Sequence, residues 1–291
     1  MVPIAFFDSN SPFTLMAYIS WNPSPVIFDL GFYELRWYSF LFALGFVLGY
    51  NILKVQFKET EFEEKLLDTL TVYIVIATVV GARLGHCLFY DWEYYSNHIL
   101  EIFLPFRIQP EFEFTGFQGL ASHGGIFAIV LAVILFSKKY DIKALWIFDK
   151  LSVVGALAGA CIRLGNLMNS EIVGKPADIP WAFIFVRVDS IPRHPGQLYE
   201  ALTYLTIFTV LFTLDRKAKR EPGFIFGLFF VLLFSTRFII EFFKANQSDF
   251  ESGMLLNMGQ LLSIPFIVLG IILLLTRRKK LLYVSDLEKT A

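Results

Sequence analysis

The sequence carries an arginine, Arg163, inside an apolar run that begins at Leu151 and is long enough to cross a bilayer. A charged side chain at the centre of a spanning helix costs at least ~2.5–3.5 kcal/mol, so its presence there indicates an anionic partner. Asn166 and Ser170 follow three and seven residues later, which predicts a guanidinium, a carboxamide and a hydroxyl on one helix face. The alternative is an arginine near the helix end whose side chain reaches the membrane interface.

A glycine-rich turn with a histidine at its centre is the second candidate. It reads Gly119-Leu-Ala-Ser-His-Gly-Gly125 and opens another apolar segment. The first N–H groups of a helix have no internal partner and carry partial positive charge, so Gly124 and Gly125 are candidate phosphate donors. His123 is the candidate base, because imidazole titrates near neutral pH. Close helix–helix packing is the alternative explanation of the glycines.

Arg237 and Glu241 form a third candidate, four residues apart at the end of another apolar segment. The guanidinium of Arg237 is a planar fork of donors that fits phosphate. The spacing predicts that Glu241 pairs with Arg237 and holds its orientation. For Arg83 and His86, in a further apolar segment, two interpretations stay open: they complete the site, or they pair with loop acids such as Asp91.

Composition places these residues in a membrane protein. Of 291 residues, 56% are hydrophobic and only 18% are charged, whereas soluble domains carry roughly 25% charged residues. Cys87 and Cys161 both lie in apolar segments, which indicates packing rather than a disulfide framework or a metal site. Apolar runs of the ~20 residues needed to cross a bilayer predict an all-α polytopic membrane protein. Seven spans are predicted, at 37–53, 68–90, 121–139, 147–168, 198–214, 223–243 and 256–275.

Basic residues are concentrated at every second junction between the predicted spans, and the other junctions are acidic or mixed. The positive-inside rule assigns the basic junctions to the cytoplasm, with the N-terminus outside and the C-terminus inside. The basic clusters are therefore membrane edges and do not indicate nucleic acid binding. The predicted extramembrane parts are an outer N-terminal segment at 1–35, a small outer lobe at 170–196 with a strand at 181–186, and a cytoplasmic tail at 276–291.

This topology brings polar residues from different spans into one layer, the outer leaflet. Side chains that merely reach the interface would occur at both membrane edges, so a single shared layer favours a binding or catalytic site. The residues assigned to this layer are Tyr38, Arg83, His86, His123, Arg163, Asn166, Arg237, Glu241, His194, Gln197, Tyr199 and Glu200.

The stretch at 163–174 reads Arg-Leu-Gly-Asn-Leu-Met-Asn-Ser-Glu-Ile-Val-Gly. It resembles the signature of the prolipoprotein diacylglyceryl transferase family, Gly-Arg-x-Gly/Ala-Asn-Phe-x-Asn-x-Glu-x-x-Gly. The sequence departs from that pattern at two packing positions, Ile162 for the usual glycine and Leu167 for the usual phenylalanine. Further stretches similar to the same family follow in the expected order at 36–38, 122–125, 194–200 and 237–244.

The resemblance implies a multi-pass enzyme of the bacterial inner (cytoplasmic) membrane, with seven spans, a periplasmic N-terminus, a small periplasmic lobe and a cytoplasmic C-terminus. Its active site is expected to face the outer leaflet. Such enzymes transfer the diacylglyceryl group of phosphatidylglycerol to the lipobox cysteine of a preprolipoprotein. They form a thioether, release glycerol 1-phosphate and use no metal or organic cofactor.

The family's chemistry gives the candidate residues their expected roles. Arg163 and Arg237 bind the phosphate, and His123 deprotonates the substrate thiol or positions the headgroup. Additional donors are expected from Asn166 and from the Gly124 and Gly125 amides. Glu171 has two open roles, orienting Arg163 or orienting the outer lobe. The substrate-binding residues expected from the resemblance also include Tyr38, Asn169, Glu171, Gly174 and Glu241.

A transporter or flippase for an anionic lipid or solute is the main alternative function. Transporter folds tend to contain internal repeats and a site at the bilayer midplane. This sequence has no convincing repeat, and its polar layer lies toward one face. A rhomboid-like protease is a weaker alternative, because Ser122 has no persuasive partner histidine on a later span.

Overall fold

The computed structural model of the chain describes residues 18–31, 34–58, 64–104, 106–107, 113–114, 119–217, 220–246, 251 and 253–288. Half of the predicted N-terminal segment, residues 1–17, lies outside the described residues, as does part of the acidic loop after the second span. The chain forms two compact units, one made of residues 1–52 and 149–291 and the other of residues 53–148.

Seven helices of the described chain are long and apolar enough to cross a membrane, as predicted. Helices suit these apolar sequences because a bilayer offers backbone groups no hydrogen-bond partner. The last helix continues beyond its apolar span, Met258–Thr276, so the predicted tail is helical to Glu288. In chain order the helices are α1 (Trp37–Lys58), α2 (Glu64–Phe89), α3 (Trp92–Tyr95), α4 (Ile99–Phe103), α5 (Ser122–Tyr140), α6 (Ala144–Asn169), α7 (Gly196–Lys217), α8 (Phe224–Ile240) and α9 (Met258–Glu288).

Three small sheets accompany the helices in the described residues, in the orders β1-β6-β7, β2-β3 and β4-β5. A strand is present where 181–186 was predicted, but it is shorter: β6 covers Phe183–Phe185 and pairs in parallel with β1 and antiparallel with β7. Phe183 and Phe185 of this strand pack with Leu167, so the lobe's small core rests on the end of α6. The strands are β1 (Ile19–Trp21), β2 (Val26–Asp29), β3 (Glu34–Arg36), β4 (Phe106–Arg107), β5 (Glu113–Phe114), β6 (Phe183–Phe185) and β7 (Pro192–Arg193).

In the unit of residues 53–148, α2 and α5 pack through glycines. A Cβ on Gly85 would lie 2.8 Å from the Cα of Gly124, so the two backbones are in direct contact. Small residues allow this approach in membranes, where lipid tails are as apolar as the side chains they would replace. Packing, the alternative explanation of the glycines, therefore holds for Gly124.

Arg83 ties the short helix α4 to the end of α2. Its buried guanidinium donates to the main-chain oxygens of Ile102 at 3.1 Å and Glu101 at 2.5 Å. It also lies over the ring of Tyr95, 4.8 Å from the ring centroid. Arg83 thus holds the loop after α2 through main-chain carbonyl groups, a role that neither open interpretation named.

In the other unit, α6, α7 and α8 surround an apolar core that includes Val153, Ile207, Leu211 and Ile225. The first half of α1 lies against α6, where a Cβ on Gly45 would be 3.3 Å from the Cα of Ala158. Close helix contact again depends on small residues. This packing places the polar end of α6 beside the polar ends of α7 and α8.

The start of α6 carries a separate polar cluster. The Asp149 carboxylate accepts hydrogen bonds from the N–H groups of Gly223 and Phe226, both at 2.7 Å. It thereby satisfies donors at the start of α8 that have no partner within the helix. Beside it, Lys150 donates to both carboxylate oxygens of Asp215, at 2.9 and 2.8 Å.

Candidate active site

The end of α6 brings a guanidinium and a carboxamide together, as the spacing predicts. Arg163 Nη1 donates to Asn166 Oδ1 at 3.3 Å, and Asn166 Nδ2 donates to Glu171 Oε2 at 3.0 Å. Asn169 Nδ2 donates to the other Glu171 oxygen at 3.1 Å. The Glu171 carboxylate therefore orients Arg163 through Asn166. Its main-chain oxygen also accepts a hydrogen bond from Gln197, so Glu171 holds the lobe as well and both open roles fit the geometry.

The predicted place of Ser170 on the same helix face is wrong. The helix ends at Asn169, and Ser170 has a left-handed φ of 55°. Its hydroxyl accepts a hydrogen bond from Arg187 at 3.1 Å, and the same guanidinium donates to the main-chain oxygen of Met168 at 2.6 Å. The hydroxyl thus belongs to the cap of α6. The helix would have to continue through Ser170 to place it on the predicted face, but it ends at Asn169.

Glu171 lies between two residues with left-handed backbones, Ser170 and Ile172. A φ of 56° is a genuine outlier for a β-branched residue such as Ile172, at a cost of roughly 1–2 kcal/mol. Such strain persists where the surrounding structure fixes the backbone, and it is concentrated at functional sites. The conformation fixes the direction in which the Glu171 carboxylate leaves the chain.

A buried carboxylate from α7 neutralises Arg163. Glu200 is fully buried, and its Oε2 lies 3.0 Å from Arg163 Nε. Its other oxygen lies 3.7 Å from Nζ of the buried Lys244. These are ion-pair distances, but among the described residues neither oxygen meets hydrogen-bond geometry with a donor. Glu200 is thus desolvated and incompletely satisfied, a condition that is expensive in a protein interior.

Glu241 pairs with Lys244, and the predicted pair with Arg237 is wrong. Glu241 Oε2 lies 3.0 Å from Lys244 Nζ, and both side chains are buried. The reason is local: α8 ends at Ile240, and Glu241 begins a 3-10 turn in which the residue three positions later is the neighbour. The carboxylate also lies at the start of α9, where a Cβ on Gly259 would be 2.6 Å from its Cδ.

Arg237 is the cation of this cluster that no described carboxylate neutralises. It is half-buried near the end of α8, and no carboxylate of the described chain lies within ion-pair distance of it. The Tyr204 hydroxyl lies within electrostatic range of Arg163, Arg237 and Glu200, so these groups share one neighbourhood. An arrangement of two arginines with only one paired is suited to a singly charged anion.

Gly174 occupies a position that excludes a side chain. A Cβ there would lie 2.8 Å from the main-chain oxygen of Phe243 and 2.6 Å from the Cβ of His194. Gly174 N–H donates to the His194 oxygen at 3.0 Å, and an isolated bridge pairs Gly174 with Lys244. The glycine therefore lets the loop after α6 contact the turn before α7 and the turn after α8.

His194 belongs to a chain of side-chain hydrogen bonds at the turn before α7. Trp181 Nε1 donates to the Tyr199 hydroxyl at 2.9 Å, and this hydroxyl lies 3.1 Å from His194 Nδ1. The Tyr199 hydroxyl accepts from the indole and can donate its own proton to an unprotonated Nδ1. Burial lowers the pKa of His194, in agreement with a neutral imidazole.

Tyr38 opens α1 and lies against the end of α6. A Cβ on Gly165 would be 2.9 Å from Tyr38 Cδ2 and 3.2 Å from its Cα. The phenol also lies within electrostatic range of Glu171 and Arg163. The structure thus brings Tyr38 to the same end of α6 as the signature residues.

His123 lies in the unit of residues 53–148, in the first turn of α5, where its side chain is exposed. Gly125 N–H donates to Ala121 at 3.2 Å inside the helix, so the expectation that this amide binds a ligand is wrong. His86 packs beside Gly119 and stacks on Tyr90, with ring centroids 6.0 Å apart. These contacts explain His86 as part of the fold of its unit.

Tyr204 was not predicted as a site residue; Glu200 was predicted only as a member of the polar layer and of a matching stretch, and Lys244 only as part of a matching stretch. A signal existed for Glu200 and Tyr204. Both are polar residues in an apolar helix, and they are four residues apart, so they lie on the same helix face. Lys244 follows Glu241 by three residues, but whether it pairs there depends on the end of α8. The two cysteines are buried and unpaired, as predicted.

Comparison with known proteins identifies relatives over most of the chain. The model of the family described as prolipoprotein diacylglyceryl transferase matches residues 25–276. A protein of Bacteroides fragilis is 43% identical over 270 residues, 91% of this chain and 98% of its own length. Proteins of Tolumonas auensis (45% over 262 residues, 89% and 98%) and Chloroherpeton thalassium (40% over 278 residues, 94% and 98%) are similar. All three are named phosphatidylglycerol–prolipoprotein diacylglyceryl transferase.

Proposed function

This chain belongs to the prolipoprotein diacylglyceryl transferase family, and we propose that it transfers the diacylglyceryl group of phosphatidylglycerol to a prolipoprotein cysteine. The product is a thioether, and the lipid's phosphate leaves as glycerol 1-phosphate. The observation that carries the proposal is the buried cluster in which Arg163 is paired with Glu200 while no described carboxylate pairs with Arg237. Such a site suits the phosphodiester of an anionic lipid at membrane depth.

The reaction has two requirements that these residues meet. The thiol must lose its proton, because the thiolate is the nucleophile. As sulfur attacks the glyceryl carbon, the carbon–oxygen bond breaks and negative charge grows on the departing phosphate. Donors already fixed in place lower the energy of that charge development. Arg237 is available for this task directly, and Arg163 is held in place by Glu200 and Asn166.

The other site residues have supporting roles in this proposal. Glu171 orients Asn166 and is itself held by Asn169, while Gly174 and Glu241 hold the loops beside it. Tyr38 lines the headgroup site. His123 is the proposed base, and the Gly124 amide in the first turn of α5 is proposed as an additional donor, although the missing side chain of Gly124 serves helix packing. Gly125 drops out as a donor because its amide is used inside α5.

The proposal also covers the membrane in which the protein lies, its orientation there and its protein substrate. The protein lies in the bacterial inner membrane, with the N-terminus and the lobe in the periplasm, and its active site opens toward the outer leaflet. Its protein substrate is the lipobox segment of a preprolipoprotein. Alternating basic span junctions and the position of the cluster at one end of α6, α7 and α8 support this orientation. The transporter alternative has no observation in its favour.

The decisive experiment uses detergent-purified protein, phosphatidylglycerol and a lipobox peptide, with glycerol phosphate release followed over time. Release that depends on the peptide's cysteine is expected, and a serine peptide is the matched control. Folded protein that binds phosphatidylglycerol but releases nothing would instead indicate lipid transport. For the base, His123→Gln is expected to reduce turnover at neutral pH by about 100-fold. Full turnover by this variant would remove His123 from that role.

A further inference from the structure

The described charged side chains of the buried cluster, three cations and two carboxylates, have a formal charge of plus one. Arg163 pairs with Glu200 at 3.0 Å and Lys244 pairs with Glu241 at 3.0 Å, so two cations are neutralised. Arg237 supplies the remaining positive charge. Glu171 also lies nearby, but its side chain is exposed and water screens its charge. The buried groups therefore complement a monoanion.

Glu200 is the member of the cluster whose presence needs the most explanation. It is fully buried and touches both Arg163 and Lys244, yet no described donor makes a hydrogen bond with good geometry to its oxygens. Lys244 already has a partner in Glu241 at 3.0 Å. A carboxylate that only stabilised the fold would be expected to have its oxygens satisfied. Hydrogen bonding therefore does not explain why a carboxylate is buried at position 200, and the function of its negative charge has to be explained instead.

The proposed reaction changes the charge of the phosphate. The substrate is a phosphodiester with one negative charge. The thiol loses its proton, and its sulfur forms a bond to the glyceryl carbon. The bond from that carbon to the phosphate oxygen breaks, and its electron pair stays on the phosphate. The product is a monoester whose second pKa is about 6, so it is a dianion at neutral pH. A site with a charge of two would therefore bind product better than substrate.

Resting on the proposed function, we propose that Glu200 sets the site's charge so that it holds a monoanionic phosphodiester and releases the dianionic monoester product. Removal of this carboxylate raises the formal charge from one to two. A unit charge at these partly buried distances changes the affinity for a second ligand charge by roughly tenfold or more. Glu200 is thus a specificity-determining residue that acts through charge, next to the cations that touch the substrate.

Direct binding tests this without turnover. Calorimetry on the detergent-purified full chain at pH 8 compares two water-soluble probes, glycerophosphoglycerol, a monoanionic diester, and glycerol 1-phosphate, a dianion. Wild-type protein is expected to bind the dianion no more tightly than the monoanion, because the larger desolvation cost of the dianion offsets its stronger attraction to a single net charge. In Glu200→Gln the preference for the dianion is expected to rise about tenfold, and glycerol 1-phosphate becomes a stronger inhibitor of transfer. Glu200→Asp retains the charge and should retain the wild-type ratio.

Asp178→Asn is the matched control, since it removes an exposed carboxylate of the lobe that accepts a hydrogen bond from Tyr18. The affinity ratio should not change in this variant. Equal weakening of both probes in Glu200→Gln would show a merely structural role and overturn the inference. If Glu200→Gln does not fold, wild-type protein still decides, because a tenfold preference for the dianion would contradict the proposal. Binding of neither probe would overturn the phosphate site as well, whereas binding of both with an unchanged ratio would overturn this inference alone.

Discussion

At its start α6 carries Asp149 and Lys150, and near its end it carries Arg163 and Asn166. At the start, each carboxylate oxygen of Asp149 accepts one backbone N–H, and Lys150 donates to both oxygens of Asp215. At the other end, Glu200 lacks good hydrogen bonds and a strained loop follows the helix. The contrast shows that burial of charge does not by itself mark a site. A cation that no described carboxylate pairs, Arg237, does, because an anionic ligand can complete the pairing.

The largest effect is expected from Arg237, which distinguishes the two ends most sharply. Arg237→Ala should reduce transfer by about 100- to 1,000-fold, because it removes a preorganised donor to the leaving phosphate. The protein should stay folded, as shown by an unchanged elution profile and Tm. Arg237→Lys keeps the charge without the planar fork and should have intermediate activity. Arg216→Ala, at the far end of α7, is the control, and turnover of Arg237→Ala within twofold of this control would refute the role.

Two glycines of the same unit give the next comparison. Gly174→Ala places a methyl group 2.8 Å from a backbone oxygen, which should displace the signature loop and reduce turnover about 100-fold. Gly155→Ala, inside α6, meets its first atom only at 4.0 Å and should retain turnover with an equal or higher Tm. Equal turnover in both variants would mean that the loop's position does not matter to the reaction.

The start of α6 should respond in stability and not in activity. Asp149→Ala leaves the N–H groups of Gly223 and Phe226 without their partner, at a cost of about 1–3 kcal/mol. Thermal unfolding in detergent should shift downward by several degrees while turnover per folded molecule stays within twofold. A large loss of turnover at unchanged Tm would show that the start of α6 takes part in the reaction, and the two ends of the helix would then not differ in function.

The smallest effect concerns pH. Burial lowers the pKa of His194 below its ordinary value of about 6.5, so the unfolded chain takes up this proton before the folded one does. Stability from the neutral imidazole is therefore present above that value and lost as pH falls. His194→Asn should reduce the Tm difference between pH 7.5 and pH 5 by about 1–2 °C. The Arg193 guanidinium lowers the pKa of Asp189, but a carboxylate titrates below this window, so Asp189→Asn should leave the difference unchanged.

Sequence reasoning predicted the seven spanning helices because their signal is local, a run of apolar residues of sufficient length. It also predicted the strand at Phe183–Phe185, and the spacing of Arg163 and Asn166 predicted their contact. Motif order was sufficient to indicate the family, which the relatives confirm. These features depend on residues that are neighbours along the chain, and a helix or strand converts such spacing into geometry without further information.

The partners of the buried charges were decided only by tertiary structure. Glu241 pairs with Lys244 and not with Arg237 because α8 ends at Ile240, the residue before Glu241, and the chain continues as a 3-10 turn. Glu200 reaches Arg163 because α7 packs beside α6, a contact between residues 37 positions apart that no periodicity encodes. Ser170 leaves the predicted face because Arg187 caps the helix end. Sequence supplied the charged groups, and the meeting of three helix ends determined which charge is paired and which is available to a ligand.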